Sequence, residues 1–596
     1  MRAARRLAAA WGWWPVHLAL AVLLVPAASL RGEAFFDRDL HGLWYTRAIA
    51  FADAVRGRVP PLWDLTLGFG EPWLADPSSQ LLYPTTWLSA LVAPWTAYTL
   101  FVVAHLAFAG VGFTLLARAS GLRRTESIAA GAAWMLCGPF VSLLNLWHHF
   151  SGAAWMPWVV LAVHRLVRRP QRRAALALGV CLGMQVLAGS ADMLLLTGAL
   201  SLAWVAGVAR RKTRFRSCAL APAGGLALAL VLSAGQWLPA LDVASRAIRH
   251  DLPREMADRW SVPPAGLTRI LLPLDGSGRL AWTKAAHLKL FDSDAEPFLG
   301  SLYLGVVPLA LSAVALVDGR RRFLAWALGA VGVAATLAAL GPHAPFAAGV
   351  RAIVPGAGHL RYPSKAMLVP AFACAMLCGH GLEATRRLSR ARAQAGIVAA
   401  AGAAALLAAA VLFGPGAAWA AGVGLFEARE GAQADALPFA LRFAALALLA
   451  LVAAATLFDG ARASSRLPRG SLLAACAVAE LWLAHHDLHP TAPPAALSVR
   501  PPVLSAVDAS GRGRVYGYDY ALVEGSAARR LGRASAYVVA QPPAGFDPRL
   551  LAAFAARVYP VPPVSATWGV EGSYDIDQAG LGRAAQRSLG RAARLS

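Results

Sequence analysis

Long apolar segments recur along the chain, and they constrain its fold more than any other feature. Of the 596 residues, 58% are hydrophobic and 15% are charged, whereas a soluble domain has about 25% charged residues. A segment of about 20 apolar residues can cross a bilayer as a helix. The sequence therefore predicts an all-α polytopic membrane protein.

The apolar pattern divides into thirteen predicted transmembrane helices. They cover residues 13–30, 86–117, 126–146, 152–167, 174–190, 192–209, 217–237, 299–317, 323–341, 363–382, 396–414, 439–458 and 470–487. Arginine clusters occupy alternate loops, which is the positive-inside pattern of a multi-pass protein. The net charge of +24 arises largely from these clusters, so we predict no nucleic-acid partner. We expect a bacterial cytoplasmic membrane protein with its N-terminus inside.

The thirteen helices give the chain two regions. Residues 1–487 form the transmembrane domain, with two long extracytoplasmic loops at 31–85 and 238–298. The first apolar run resembles a signal peptide and is interpreted as an uncleaved anchor because many spans follow it. An odd number of spans puts the tail, 488–596, outside. Its short β-like runs between Gly and Pro predict a small, mostly β extracytoplasmic domain.

The first outer loop contains a segment with helical periodicity. Within residues 39–56, an apolar stripe is formed by Leu40, Leu43, Trp44, Phe51 and Val55. The charged residues of the segment lie elsewhere around the helix. This pattern predicts an amphipathic helix that lies on the outer membrane surface.

Two acids, Asp37 and Asp39, precede this helix, just beyond the first span. A carboxylate there could take a proton from an acceptor hydroxyl during sugar transfer from a lipid-linked donor. Alternatively, the acids end the span and cap the helix, since Asp is a preferred N-cap. The pair could also help to hold a divalent cation through oxygen ligands. We further predict that His41, Arg47 and Trp63 of this loop bind substrate.

A second cluster, Arg361, Tyr362 and Lys365, lies at the outer entrance of a predicted span. Cations on this side are not explained by the positive-inside pattern. They could bind an anionic lipid phosphate, for which Arg offers two parallel hydrogen bonds. The alternative is that the two cations reach toward lipid headgroups.

Two other groups favour structural interpretations, and a third is left open. Cys374 and Cys378 share a helix face and are read as small core residues. All six cysteines lie in or at the ends of apolar segments, so we expect no disulfide framework. The pair His148 and His149 favours interfacial polar residues over a metal site. Asp192, in a short outer turn, is left open between a functional and a structural role.

The motifs FFDRDLHGLWYTR and GRVPPLWDLTLGFGEPWLADPSSQLLYPTTWL resemble the first-loop signature of the bacterial YfhO family of membrane proteins. The segments FLGSLYLGVVPLAL, LRYPSKAMLVPAFACAMLCGHGL and WGVEGSYDID are similar to later parts of that family. The family resembles the GT-C glycosyltransferases, multispan enzymes that use polyprenyl-phosphate sugars and carry an acid in the first outer loop. The resemblance implies that Asp39, with Asp37 beside it, is catalytic. The sequence departs from the pattern at Asp76, where asparagine is expected.

Together these features give a leading hypothesis and an alternative. The leading hypothesis is a GT-C-like transferase that moves a sugar from a polyprenyl-phosphate carrier to a cell-envelope glycan acceptor on the outer face. The alternative is a non-enzymatic role, as a flippase or transporter of lipid-linked sugars or as an envelope assembly factor. Membrane helices alone do not distinguish these roles.

The predicted topology can be tested with reporter fusions. Fusions after Arg216, Arg322 and Arg469 should report the cytoplasm, because these positions follow arginine clusters. Fusions within 250–290 and after Pro501 should report the outer side. A tail found in the cytoplasm would show that the number of spans is not odd.

Overall fold

The computed structural model describes most of the chain, with gaps. The described residues are 12–64, 66, 70–208, 215–246, 254–274, 276, 282–292, 297–353, 361–425, 432–458, 469–501, 503–509, 514–515, 550, 553–554, 557 and 564–572. Within them, each of the thirteen predicted segments contains an α-helix. The protein is an all-α membrane protein, as the apolar pattern predicts.

The helices at the predicted spans have the following bounds: Trp14–Leu24, Pro94–Ala119, Arg124–Leu136, Trp147–Arg168, Arg172–Leu187, Ala191–Val208, Phe215–Arg246, Val306–Val317, Arg322–Ala339, Leu368–Ala384, Ser389–Phe413, Ala432–Phe458 and Arg469–His485. Short helices lie between or after them, at Ala27–Leu30, Tyr45–Arg56, Gly138–Val141, Arg254–Asp258, Lys284–Phe291, Phe346–Ile353, Ala417–Gly422, Pro494–Leu497 and Val503–Ala509. One π-helical turn covers Leu40–Trp44, and short 3₁₀ turns cover Pro77–Ser79, Pro84–Ala90, Pro264–Ile270, Gly319–Arg321, Gly341–His343, Pro363–Met367 and Val564–Trp568.

Eight helices of the described chain are long and apolar enough to cross a membrane. They are Pro94–Ala119, Trp147–Arg168, Ala191–Val208, Ala221–Ala244, Gly319–Ala339, Pro363–Ala384, Ser389–Phe413 and Leu437–Phe458. Two shorter apolar helices, Trp14–Leu24 and Val306–Val317, accompany them. The number of helices that cross the membrane, and the side on which each loop lies, stay predictions.

Among the described residues, four two-residue strands form two small antiparallel sheets. β1, Ala34–Phe35, pairs with β4, Thr491–Ala492, and β2, Trp63–Asp64, pairs with β3, Glu71–Pro72. In the tail, the described residues show an isolated bridge between Val515 and Gly572. Most of the predicted β runs beyond residue 515 lie outside the described residues.

Two of the predicted spans are interrupted by buried backbone outside their main helices. The helix expected over 126–146 ends at Leu136, and the helix expected from 299 begins only at Val306. The two interruptions bond to each other: Gly138 N donates to Tyr303 O at 2.9 Å. A Cβ at Gly138 would lie 2.6 Å from Ser301 Oγ, so only glycine allows this approach. Buried backbone of this kind needs such partners within the protein.

The second interruption ends in a carboxylate cap on the following helix. Glu480, which is 0% exposed, accepts hydrogen bonds from Val306 N at 2.6 Å and Val307 N at 2.9 Å. It also accepts the Tyr303 hydroxyl at 2.5 Å. The first N–H groups of a helix have no partner inside it, and an acid placed there stabilises the helix N-terminus. Glu480 thereby fixes where the Val306–Val317 helix begins.

The first-loop helix is present, and protein covers its apolar stripe; its position on the outer membrane surface stays a prediction. A π-turn begins it, and the regular helix is Tyr45–Arg56. Its apolar stripe faces protein: Phe51 packs in a buried cluster with Trp73 and Leu81. The physical reason is that the irregular segment after the helix folds back and covers the stripe, a long-range contact that periodicity cannot reveal.

Several basic loops contact one another at one end of the helices. Arg386 pairs with the buried Glu126 at 2.6 Å, and Arg387 pairs with Asp318 at 2.9 Å. Arg321 donates to the carbonyl oxygen of Ser120. The sequence assigns all three loops to the cytoplasmic side, so their meeting is consistent with that assignment.

The Glu480 cap predicts a large stability effect. Glu480→Ala would leave three buried donors without an acceptor, and each costs about 1–3 kcal/mol, so we expect a clear fall in unfolding temperature in detergent. Glu480→Gln should have an unfolding temperature between those of the wild type and Glu480→Ala, because its amide NH₂ would face a backbone N–H. The control Glu383→Gln removes a partly exposed i,i+4 pair at 3.4 Å to Arg387 and should change little. A Glu480→Ala variant as stable as the wild type would contradict the capping role.

Candidate functional site

The acids Asp37 and Asp39 follow β1 and have opposite environments. Between them, Arg38 has a left-handed backbone with φ 55°. Asp37 is 8% exposed and accepts from Asn145 Nδ2 at 3.2 Å and from Arg38 N at 3.1 Å. Asp39 is exposed. The turn therefore directs one acid into the protein and leaves the other accessible.

Arg38 joins this turn to the segment before the Val306–Val317 helix. Its guanidinium donates to Pro297 O at 3.0 Å and to Phe298 O at 2.6 Å. It also lies 5.7 Å from the ring centroid of Trp260 and 5.6 Å from that of Phe298. These contacts fix the turn against an aromatic surface.

The aromatic surface consists of Trp260, Phe298 and Tyr362. Tyr362 lies 4.5 Å from Trp260 and 5.1 Å from Phe298 between ring centroids. Lys365 Nζ lies 5.2 Å from the Phe298 centroid and 5.1 Å from that of Tyr362. Cations over aromatic faces are attracted by the ring quadrupole. The surface thus collects the positive charge of Arg38 and Lys365 beside the first-loop acids.

Arg361 completes this arrangement. Its guanidinium lies 5.2 Å from the Tyr362 ring centroid, and its buried Nε has no hydrogen-bond partner in the described structure. Although Asp39 has solvent-exposed surface, the protein atoms packed around it desolvate its carboxyl group and raise its pKa, while the charges of Arg38 and Arg361 partly oppose the rise. Asp39 is therefore an accessible carboxylate of increased basicity, beside a guanidinium with a free donor.

The predicted site residues separate into two groups. Asp37, Asp39, Arg361, Tyr362 and Lys365 come together around the aromatic surface, although two chain regions more than 300 residues apart supply them. The other three predicted substrate-binding residues lie in separate surroundings.

His41, Arg47 and Trp63 form the second group. Arg47 pairs with Asp76 at 2.8 Å and donates to Ser78 at 3.1 Å. Trp63 is 55% exposed in the β2–β3 hairpin. His41 contacts the tail, and burial, with a smaller effect of a nearby arginine, lowers its pKa to about 3. The imidazole of His41 is therefore neutral near pH 7.

Asp76 stands where the resembled family suggests asparagine, and its neighbours favour the ionised carboxylate. Burial alone would raise its pKa, but Arg47 and the hydroxyl and N–H of Ser78 outweigh burial and lower the pKa. Asp76 also caps the Pro77–Ser79 turn through Ser78 N at 2.9 Å. Asp76 therefore stabilises the loop through its ion pair with Arg47. An asparagine at this position could not form that ion pair.

The structure gives the surroundings of the residues whose roles the sequence leaves open. Asp39 occupies the position before the π-turn, but its side chain makes no capping hydrogen bond. Asp192 pairs with Lys365 at 2.6 Å. His149 Nδ1 lies 2.7 Å from Ser190 Oγ. Among the described residues, no group of three or more His, Cys, Asp or Glu side chains is arranged to hold a metal ion.

Sequence reasoning missed Arg38, Asn145 and Phe298. The bonds of Asn145 to Asp37 and of Arg38 to Phe298 form only because distant segments meet. Asn145 carried a weak signal, since it is a lone amide within an apolar run. Arg38 carried another, as a cation on the predicted outer side between two acids.

Comparisons with known proteins give structural similarities without a family. No family model matches the sequence, and no curated protein matches it. Among solved structures, the chain is similar to ArnT from Cupriavidus metallidurans in the apo state, with 17% identity over 95% of this chain and 90% of that chain and a TM-score of 0.48. The same protein bound to undecaprenyl phosphate gives 16% identity over 85% and 83%, with a TM-score of 0.47.

A third similar structure is the arabinofuranosyltransferase AftD from Mycobacteria. It gives 18% identity over 66% of this chain and 26% of that chain, with a TM-score of 0.42. Identities and TM-scores this low do not assign a family, so the resemblance to the YfhO family stays a prediction.

The coupling of Asp39 to Arg361 can be tested chemically. Carbodiimides modify protonated carboxyl groups, so the labelling of accessible Asp39 should fall as pH rises through its pKa. Because Arg361 lowers that pKa, Arg361→Gln should raise it, and labelling should persist to higher pH by mass spectrometry. The control Arg56→Gln, which removes an exposed pair with Asp53, should leave the Asp39 profile unchanged. An unchanged profile in Arg361→Gln would show that the two groups are not coupled.

Proposed function

We propose that this protein is a GT-C-like glycosyltransferase that moves a sugar from a polyprenyl-phosphate carrier to a cell-envelope glycan acceptor. The reaction would take place on the outer face of the membrane. The observation that carries the proposal is the accessible carboxylate of Asp39, with a raised pKa, beside the partly unsatisfied guanidinium of Arg361. A base and a phosphate-binding cation are the two groups that this transfer needs.

The proposed reaction uses Asp39 as the general base. Its carboxylate takes the proton of the acceptor hydroxyl as that oxygen attacks the anomeric carbon of the sugar. The bond between the anomeric carbon and the phosphate oxygen breaks, and the polyprenyl phosphate leaves with the electron pair. A base of raised pKa accepts a proton more readily, and positioned general bases contribute about 10²–10⁴ in rate.

Arg361 is proposed to bind the carrier phosphate and stabilise the charge that develops as it leaves. A planar guanidinium can hold phosphate oxygens through two parallel hydrogen bonds. Lys365 adds positive charge, but its Nζ already bonds Asp192 at 2.6 Å. Arg361 therefore carries the larger share of direct phosphate binding, and the Asp192–Lys365 pair holds the lysine in place.

Unsatisfied polar atoms around the site also support a polar ligand. Buried polar groups usually have hydrogen-bond partners, so a buried polar atom without a protein partner is a candidate for bonding a ligand. In the described structure, the atoms near the site without a protein partner are Tyr45 Oη, Asn145 Oδ1, Trp260 Nε1, Arg361 Nε and Ser364 Oγ. A sugar phosphate offers both donors and acceptors to such a set.

Substitution of Asp39 tests the proposal. Asp39→Asn keeps the size of the side chain but removes its charge and basicity, so transfer of labelled sugar from carrier to acceptor should fall about 10²–10⁴-fold. Membrane insertion and abundance should stay normal. Asp37→Asn should have a smaller effect, because Asp37 is buried against Asn145. Asp53→Asn, on the exposed face of the same loop helix, is the matched control.

The pH dependence gives the same test independently. The base acts only as a carboxylate, so the rate should rise with pH through the pKa of Asp39 and then level off. Because that pKa is raised, the rise should lie above the ordinary range of aspartate. Full activity in both Asp37→Asn and Asp39→Asn would contradict the catalytic role. Carrier movement across the bilayer without sugar transfer would favour the flippase alternative.

A further inference from the structure

Segments that follow the last predicted span contact the backbone both before and after the two acids. Before the acids, β4 pairs with β1, with Ala34 opposite Ala492 and Phe35 opposite Thr491. The Thr491 hydroxyl also donates to Glu33 Oε2 at 2.6 Å. The backbone that leads into Asp37 is therefore held by residues more than 450 positions later.

After the acids, Arg557 makes the second contact. This arginine is 1% exposed, and its Nη2 donates to His41 O at 2.8 Å. Its Nε donates to Leu497 O, and its Nη1 lies 3.4 Å from His41 Nδ1. The guanidinium thus connects the π-turn that follows Asp39 to the short helix that follows β4.

The chemistry of Arg557 suits a fixing role. A guanidinium is a rigid, planar group of donors, so bonds to two carbonyl oxygens restrict its position more than a single bond would. The neutral imidazole of His41 can accept from it without repulsion. Nearby, Leu550 and Ala553 belong to the main hydrophobic core, so the tail reaches the turn from an anchored position.

We infer that Arg557 is a positioning residue for Asp39, and that the post-span segment is part of the site rather than a separate appendage. β4 and Arg557 fix the backbone on the two sides of the Asp37–Asp39 turn. A general base misplaced by about 1 Å can lose about 10²-fold in rate. The expected effect of Arg557 on the rate of sugar transfer rests on the proposed function. The expected effect of Arg557 on the stability of the Asp37–Asp39 turn does not.

Hydrogen exchange of the full-length protein in detergent tests the holding. Arg557→Gln removes the charged fork, so peptides covering 37–47 should exchange on the order of tenfold faster through local opening. Arg557→Lys can donate to fewer of the acceptors, so its exchange rate over 37–47 should lie between those of the wild type and Arg557→Gln. The helix Leu368–Ala384 should be unchanged in both, which shows that the fold is intact. The control Arg387→Gln removes an arginine that pairs with Asp318 among the basic loops and should leave 37–47 unchanged.

Kinetics of the same variants test the positioning. Arg557→Gln should lower kcat about 10²-fold with little change in the KM of the carrier, and Arg557→Lys should recover part of the loss. Unchanged exchange of 37–47 in Arg557→Gln would overturn the inference, whatever the wild type transfers. Faster exchange with an unchanged kcat would overturn the positioning role. Absence of transfer by the wild type would instead overturn the proposed function and leave the exchange result to decide whether Arg557 holds the turn.

Discussion

The hydrogen bonds of Arg38 to the carbonyl oxygens of Pro297 and Phe298 are the constraint on which the candidate site depends. They join the first loop to the segment that carries Phe298, and so bring the acids against the aromatic surface. The left-handed turn at Arg38 then separates the two acids, with Asp37 buried and Asp39 accessible. Without this junction, the acids and the cations of 361–365 would belong to unrelated loops.

The same site depends on helices that stop short of their apolar limits. Polar backbone outside helices is tolerated among buried segments only when protein groups satisfy it. Gly138 N provides that partner for Tyr303 O, Arg269 provides it for the carbonyl oxygens of Leu299 and Gly300, and Glu480 caps the helix that follows. The protein can therefore place an irregular segment among its helices, and the aromatic surface begins at the first residues of that segment.

Much of the fold could be predicted from the sequence, because apolar length and arginine placement are local signals. Each predicted span contains a helix for this reason. The interruptions at Leu136 and before Val306 could not be predicted, since apolar residues there pack in irregular backbone as well as in a helix. The acids and the 361–365 cluster could each be singled out, but their meeting depends on contacts across more than 300 residues. The roles of Arg38 and Arg557 arise only from such contacts.

We propose that the carrier phosphate binds at Arg361 with its sugar beside Asp39. A structure of the protein in lipid nanodiscs with a bound polyprenyl-phosphate sugar would show where the phosphate lies. Its oxygens should lie within hydrogen-bonding distance of the Arg361 guanidinium, and the anomeric carbon should face the Asp39 carboxylate. A phosphate bound instead at Arg47 and Asp76, or against the basic loops at the other end of the helices, would contradict this proposal.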